Sequence, residues 1–325
     1  MAPISRACGA VMAIGILLAA LLGGCGLLRG GSPDDPDLRA WSPVWMPDGW
    51  VYFLRHPTGA ETDVRSTLWR VREGASVEKV STGTKDASCG GGRWTDLSAL
   101  PDGRLGLLAW CEDGQSENVA MDLGSRDLTV LAPVPAVAWE SVWMPDLAGG
   151  YFWLGECQVP AWRDERGLRD LSLTVDVHGF SWRPEASKAN TAADCDRYGD
   201  VGPAAVVGNR QFLFVAAAPI RDASEGAETR QWELQLSDAG PESATARVVV
   251  DKLSDVDGLQ AFNDGKRVLL SATHANVHGV WEVNLATGDL RLLRKMAAGY
   301  VAISPDGGRV ALVTGSAKVV FESLA

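Results

Sequence analysis

The sequence predicts an all-β chain built as a ring of six four-stranded antiparallel units, and three observations carry the prediction. A phrase is written twice: AWSPVWMPD at 40–48 and AWESVWMPD at 138–146 agree at seven of nine positions. Its closing aspartate recurs in MPDG at Asp48, LPDG at Asp102, MPDL at Asp146, FNDG at Asp264 and SPDG at Asp306. These aspartates lie 54, 44, 118 and 42 residues apart, so one interval is double the others and predicts a degenerate copy inside it. A fixed period of this size is the mark of a repeat architecture, in which one small unit cannot bury its own faces and must stack on its neighbours.

Each copy reads the same way. A short strand leads into Pro-Asp-Gly, where proline sets φ and glycine supplies φ > 0 for a tight turn. An apolar strand follows: WVYFL at 50–54, RLGLLAW at 104–110, RVLLSA at 267–272 and RVALVTG at 309–315. In the long interval AAVVGNRQFLFVAA supplies the missing hairpin, with Gly208-Asn209 as its turn. A second hairpin then completes each unit, plainest in VWEVNLATGDLRLLRK at 280–295, turning at Ala286-Thr287-Gly288-Asp289, and in NVAMDLGSRDLTVLAP at 118–133. Four strands per unit and six units describe a six-bladed β-propeller over 40–325. A seven-bladed ring or an irregular β-sandwich is the alternative, and 163–201 is where the count is least constrained. The last unit is short, since only SAKVVFESLA follows RVALVTG. Residues just ahead of Trp41 are expected to add its outer strand.

The strand, S/W-P-D-G, apolar-strand repeat resembles the TolB-like, WD40-related propellers of bacterial envelope proteins. The resemblance implies a propeller of four-stranded blades; nothing here resembles a separate N-terminal domain, so a translocation role is not implied.

The first 25 residues follow different rules. Arg6 precedes an apolar run, 9–22, of secretory length and short for a membrane span. The run ends in Leu22-Gly23-Gly24-Cys25, which resembles the bacterial lipobox. That resemblance implies cleavage before Cys25, acylation of its thiol, and a protein tethered to a membrane facing outside the cytoplasm; an ordinary signal peptide or an uncleaved anchor is the alternative. Residues 26–39, GLLRGGSPDDPDLR, read as a flexible tether of up to about 45 Å.

Export bears on the cysteines. With Cys8 removed and Cys25 acylated, Cys89, Cys111, Cys157 and Cys195 remain, an even number in an oxidising compartment with three possible connectivities. Placed on the repeat, all four fall on the face opposite the Pro-Asp-Gly turns, which suggests Cys89 with Cys111 and Cys157 with Cys195. Each closed loop is worth about 3 kcal/mol. A four-thiolate metal site is the alternative, although no C-x-x-C pair is present.

The chain carries 30 basic and 41 acidic residues, a net charge of −11 that repels polyphosphates and argues against nucleic acid. Of its 13 tryptophans, 12 fall in repeat slots, which inter-blade packing explains. The expected contacts with an outside partner are Trp41, Trp94 and Trp139, at the starts of innermost strands, with Trp182 nearby on the long insertion. His274 and His278 sit in a β-strand connection, where helical metal geometry does not apply; Asp194, Asp196 and Asp200 alternate as in a calcium loop, but without the EF-hand glycine and closing glutamate they read as a solvated acidic loop. No metal or other cofactor is expected. No nucleophile elbow, H-E-x-x-H or P-loop occurs. The functional expectation is therefore a lipid-anchored module that binds an unidentified protein or peptide. The alternative is a metal-dependent hydrolase or lactonase with acidic residues in the central channel.

Overall fold

The computed structural model describes residues 38–57, 66–81, 93–100, 102–110, 116–134, 140–144, 150–154, 161–164, 167–176, 179–184, 201–207, 211–217, 231–237, 244–296, 299–314 and 318–324. Among them there is no helix, and 23 strands run in chain order.

Blade one is β1 (Leu38–Trp45), β2 (Val51–Pro57), β3 (Thr67–Val71) and β4 (Glu78–Lys79), each antiparallel to the next. Blade two is β5 (Arg93–Ala99), β6 (Leu105–Trp110), β7 (Ser116–Met121) and β8 (Leu128–Val134). Blade three is β9 (Glu140–Met144), β10 (Gly150–Leu154), β11 (Ala161–Asp164) and β12 (Gly167–Asp176). The long insertion contributes an extra strand, β13 (Gly179–Pro184), which hairpins with β12 and also pairs with β17 (Ala244–Ala261) through Ser181 and Trp182. Blade four is β14 (Val201–Val207), β15 (Gln211–Ala217), β16 (Trp232–Ser237) and the first part of β17. The second part of β17 opens blade five, followed by β18 (Arg267–His274), β19 (Val277–Asn284) and β20 (Leu290–Lys295). Blade six has three strands, β21 (Gly299–Ile303), β22 (Arg309–Thr314) and β23 (Val319–Ser323).

The innermost strands β1, β5, β9, β14, the second part of β17, and β21 each neighbour the next, and β21 neighbours β1. That closed cycle makes the count six. The insertion therefore adds to blades three and four rather than forming a seventh blade.

The Pro-Asp-Gly turns and the Asn263-Asp264-Gly265 turn have one geometry because aspartate and glycine hold the same two places in each. The residue before the turn accepts the glycine N–H: Met46 O from Gly49 (3.0 Å), Leu100 O from Gly103 (3.0 Å), Phe262 O from Gly265 (3.1 Å) and Ser304 O from Gly307 (2.8 Å). Each of these glycines has positive φ, between 65° and 83°, where a side chain would clash with its own backbone. The aspartate caps the turn from within: Asp48 Oδ1 accepts the Trp50 N–H at 3.0 Å and Asp102 Oδ1 the Arg104 N–H at 3.1 Å. Trp50 thus belongs to the turn, one residue ahead of β2, and not to the strand itself.

Stacking buries what each blade cannot. Between blades one and two, Val44, Tyr52 and Leu54 meet Trp94, Leu97 and Leu107. Between blades four and five, Leu213 and Leu234 meet Leu259 and Leu270; between five and six, Leu269 and Val280 meet Val301 and Leu312. The ring closes where Trp45, Phe53 and Trp69 of blade one pack on Ala302, Ala311 and Val313 of blade six. Arg55, wholly buried in β2, lays its guanidinium 4.8 Å from the Trp69 ring.

The tryptophans of the third strands behave as packing residues. Trp69 and Trp281 are both buried, and their indole N–H groups are satisfied locally, by Thr67 Oγ1 at 2.7 Å and Ala272 O at 3.1 Å. One expectation fails. Leu38, Arg39 and Ala40 pair with Pro57, His56 and Arg55, so the residues just ahead of Trp41 lengthen the innermost strand of blade one and add no outer strand to blade six.

Candidate functional site

The face opposite the Pro-Asp-Gly turns is where innermost strands begin and second strands end, and it collects polar groups that strand pairing alone does not require. The cause is a set of β-bulges. The innermost strands β1, β5, β14 and β17 lose register between Trp41 and Val44, Trp94 and Asp96, Val201 and Ala204, and Ser254 and Gly258. A bulge leaves an extra residue unpaired in the ladder and re-aims its side chain.

At the first bulge Ser42 takes positive φ, 48°, and its hydroxyl is shared between blades: it donates to Asp96 Oδ1 and accepts the Leu97 N–H at 2.8 Å. Across the ring, Gln260 on β17 accepts the Ile303 N–H at 2.8 Å and donates to Pro43 O at 3.1 Å. Gln260 therefore ties the innermost strand of blade five to that of blade six and to the bulge of blade one.

The bulge of β17 carries the densest group. Thr273 Oγ1 lies 2.9 Å from His278 Nδ1 and 3.1 Å from Asp255 Oδ2. His278 Nε2 stands 3.0 Å from Asp257 Oδ2, close enough for an ion pair though off the line of a straight N–H···O bond. Asp257 Oδ2 also accepts the Gly299 N–H at 3.0 Å, and Ser271 Oγ donates to Gly299 O at 2.6 Å, so the group links blades five and six. His274 and His278 flank a two-residue turn at Ala275 and Asn276, both of positive φ. The connection is thus a tight hairpin with both histidines in strands, and His274 stacks edge-on against Trp281 at 5.5 Å. Among the described residues, no three of His, Cys, Asp or Glu stand together as a metal site.

The expected partner contacts fare unequally. Trp94 is 4% exposed and packed between blades one and two, because the side chain at that position of β5 points into the seam; it is withdrawn from any partner. Trp41 is half-buried at the edge of the same seam. Trp182 is placed by its backbone on β13, paired with Leu173 and Ala244. Trp139, Cys25, Cys89, Cys111, Cys157, Cys195 and the acidic loop at 194–200 lie outside the described residues. The bulges and Gln260 escaped the sequence reading, since a bulge changes register without any fixed residue signature.

On the opposite face two of the turn carboxylates are held charged by their own turns. The Arg104 side chain beside Asp102, at 2.6 Å, holds that carboxyl below the usual range. The Ser304 hydroxyl, followed by the Gly308 N–H, does so for Asp306. These are structural bonds within turns.

No family model and no curated protein matches the chain. Solved structures do. A chain of hydrazine synthase from Kuenenia stuttgartiensis superposes with a TM-score of 0.54 at 10% identity, covering 88% of this chain and 96% of that one. A putative TolB from Agrobacterium tumefaciens gives 0.51 at 16% identity, covering 83% and 87%. TolB from Acinetobacter baumannii gives 0.52 at 14% identity, covering 99% and 70%. At such identities the likeness concerns the fold and no activity. The chain folds as a TolB-like six-bladed β-propeller of antiparallel blades.

Proposed function

We propose that this protein is a lipid-anchored, extracytoplasmic binding module that holds a protein or peptide partner at the mouth opposite its Pro-Asp-Gly turns. The observation that carries the reading is the bulged mouth itself. Asp96 stands at the bulge of blade two beside the seam that holds the half-buried Trp41, and Asp255 and Asp257 stand at the bulge of blade five with Thr273 and His278. Three carboxylates stand at that mouth and the net charge of −11 adds a long-range field, so a basic segment is the complementary partner. Gln260 fixes the innermost strands of blades five, six and one to one another beneath that rim.

The anchor rests on the lipobox resemblance at Cys25, and the paired cysteines on the oxidising compartment that export implies. Three measurements test the reading. Cys25→Ala is expected to release the protein from the membrane fraction or leave its precursor uncut; unchanged fractionation rejects the anchor. Free-thiol titration of exported protein is expected near zero for Cys89, Cys111, Cys157 and Cys195, and a count near four rejects the disulfides. Affinity capture from intact envelope, read by mass spectrometry, is expected to yield a partner whose recovery falls about tenfold with Trp41→Ala or Asp255→Ala. Undiminished recovery with both variants rejects the mouth.

A further inference from the structure

The polar group at the bulge of β17 closes fully only when the His278 ring carries two hydrogens. The ring is mostly buried and each of its nitrogens faces an oxygen, Nδ1 that of Thr273 at 2.9 Å and Nε2 that of Asp257 at 3.0 Å. Thr273 donates its single hydroxyl hydrogen to Asp255 Oδ2 at 3.1 Å, which leaves its oxygen as the acceptor toward Nδ1. A neutral imidazole has one hydrogen to give. Placed on Nδ1, it leaves the bare Nε2 lone pair against a carboxylate. Placed on Nε2, it obliges Thr273 to turn its own hydrogen from Asp255 to Nδ1. The imidazolium suits Asp255, Thr273 and Asp257 together.

Among the described residues, Asp257 is the charged group in contact with the ring, and Asp255 stands one hydroxyl away. The other ionisable groups nearby are engaged or turned elsewhere. His274 alternates to the other face of β18, edge-on to Trp281. On β20, Arg294 pairs with Glu322 of blade six and Lys295 is exposed. Tyr300 of β21 lines Gly258, the residue after Asp257. Lys252 and Asp255 are both exposed and both take positive φ, 56° and 45°, where β17 passes from blade four to blade five. The connections at 297–298 and 315–317 read Ala-Ala and Gly-Ser-Ala, with no ionisable side chain.

We infer that Asp255, Thr273, His278 and Asp257 form a proton-operated switch that sets how strongly the mouth holds a basic partner. The inference rests on the reading of the mouth as the surface that takes such a segment, and adds its regulation. With the ring protonated, Thr273 ties down Asp255, and two aspartates with one imidazolium sum to −1. The proton that leaves is the one on Nδ1, released to solvent, and no bond between heavy atoms changes. Thr273 then turns to Nδ1, the exposed Asp255 is freed, and the two aspartates beside a neutral ring sum to −2. Both changes favour a cation, so binding strengthens as pH rises through the range in which histidine gives up its proton.

Long-range proton–nitrogen NMR spectra of the His278 ring in the full chain test the switch without any partner. At about pH 8 the ring is expected to carry its hydrogen on Nε2 with Nδ1 bare, and at about pH 5 to carry one on each nitrogen. A neutral ring protonated on Nδ1, or a ring whose state is the same at both pH values, overturns the inference.

The probe for binding is a fluorescent hexa-arginine peptide, read by anisotropy at fixed ionic strength between about pH 5.5 and about pH 8, a range in which carboxylates stay ionised. The parent is expected to bind it about fivefold more tightly at the higher pH. His278→Gln is expected to bind equally at both, His274→Gln to keep the parent's response, and Thr273→Val to shrink it to about twofold, because Asp255 is then released at either pH. A response that survives in His278→Gln, or that is undiminished in Thr273→Val, overturns the switch. Melting temperatures equal to the parent's show that the variants fold, and the ring spectra, taken on the parent, decide where one does not. A peptide that binds the parent at neither pH overturns the reading of a basic partner, and its regulation with it, whatever the ring spectra show.

Discussion

Trp45 meets Phe321 edge to face, with ring centroids 5.3 Å apart and planes inclined by 77°. The two residues come from opposite ends of the described chain, one from the innermost strand of blade one and the other from the last strand of blade six. Arg309 sits over both rings, at 5.4 Å and 6.0 Å, and its guanidinium pairs with Glu73 of blade one. Among the described residues the ring is therefore closed by side-chain packing between blades, where residues just ahead of Trp41 were expected to share a strand with the last blade.

That closure is measurable as a coupling. In a double-mutant cycle of Trp45→Leu and Phe321→Leu, read by denaturant unfolding, the expected interaction energy is about 0.5–1.5 kcal/mol beyond the two single losses. Simple additivity would show that the rings contribute only through their separate burial.

The two Asx-led hairpins invite opposite substitutions. Asp122 O accepts the Arg126 N–H and Asn284 O the Gly288 N–H, both at 2.8 Å, and the fifth residue takes positive φ in each, 65° and 76°. Arg126→Gly is expected to stabilise by about 0.5 kcal/mol, because arginine bears the left-handed strain that glycine lacks. Gly288→Ala is expected to cost about 2 kcal/mol or more, since a Cβ there would stand 2.5 Å from Val249 O of the neighbouring blade. Midpoints of thermal unfolding for the two variants check the opposite signs.

Acid should weaken the turn face. Asp102 and Asp306 have folded-state pKa values below their ordinary 3.8, from Arg104 and from Ser304 with Gly308 respectively. Groups shifted this way contribute stability above the unfolded pKa, and the contribution is lost as pH falls through the lower, folded value. Unfolding midpoints are expected to drop below about pH 4. Asp102→Asn with Asp306→Asn should be less stable than the parent at neutral pH and lose less on acidification; parallel pH profiles would count against the turn carboxylates.

Gln260 should report on the junction of blades five, six and one. Gln260→Leu removes the acceptor for Ile303 N–H and the donor to Pro43 O, and is expected to cost about 1–2 kcal/mol by denaturant unfolding. A loss confined to faster amide exchange in β1 and β21, with no change in global stability, would show that the bridge holds only the local strand ends.

Repeat number, strand order within a blade and turn geometry were all legible in the residues, because each depends on short-range chemistry. Pro-Asp-Gly dictates a turn whose glycine needs positive φ, and apolar alternation on either side dictates a hairpin. Gly208-Asn209 marked the degenerate copy for the same reason, and β14 and β15 do flank it. Trp94 shows the limit. Its position at the start of an innermost strand was readable, but a tryptophan can face a seam or a rim from there, and only the neighbouring blade decides which.

The mouth lay further out of reach. Ser42 meets Asp96 across a blade boundary, and Gln260 meets Pro43 across 217 residues of chain, contacts set by how the blades are wound into a ring. Bulges that re-aim Ser42, Asp255 and Asp257 obey no residue pattern, since they arise where the radial packing of innermost strands competes with ladder register. The outer side of β23 is of the same kind: Leu38, Arg39 and Ala40 pair with β2 instead, and among the described residues no other strand pairs there. Local turn and strand chemistry thus specified the repeating blade, and the stacking of six blades around one axis decided which side chains meet a partner, because that choice is made by contacts between units distant in sequence.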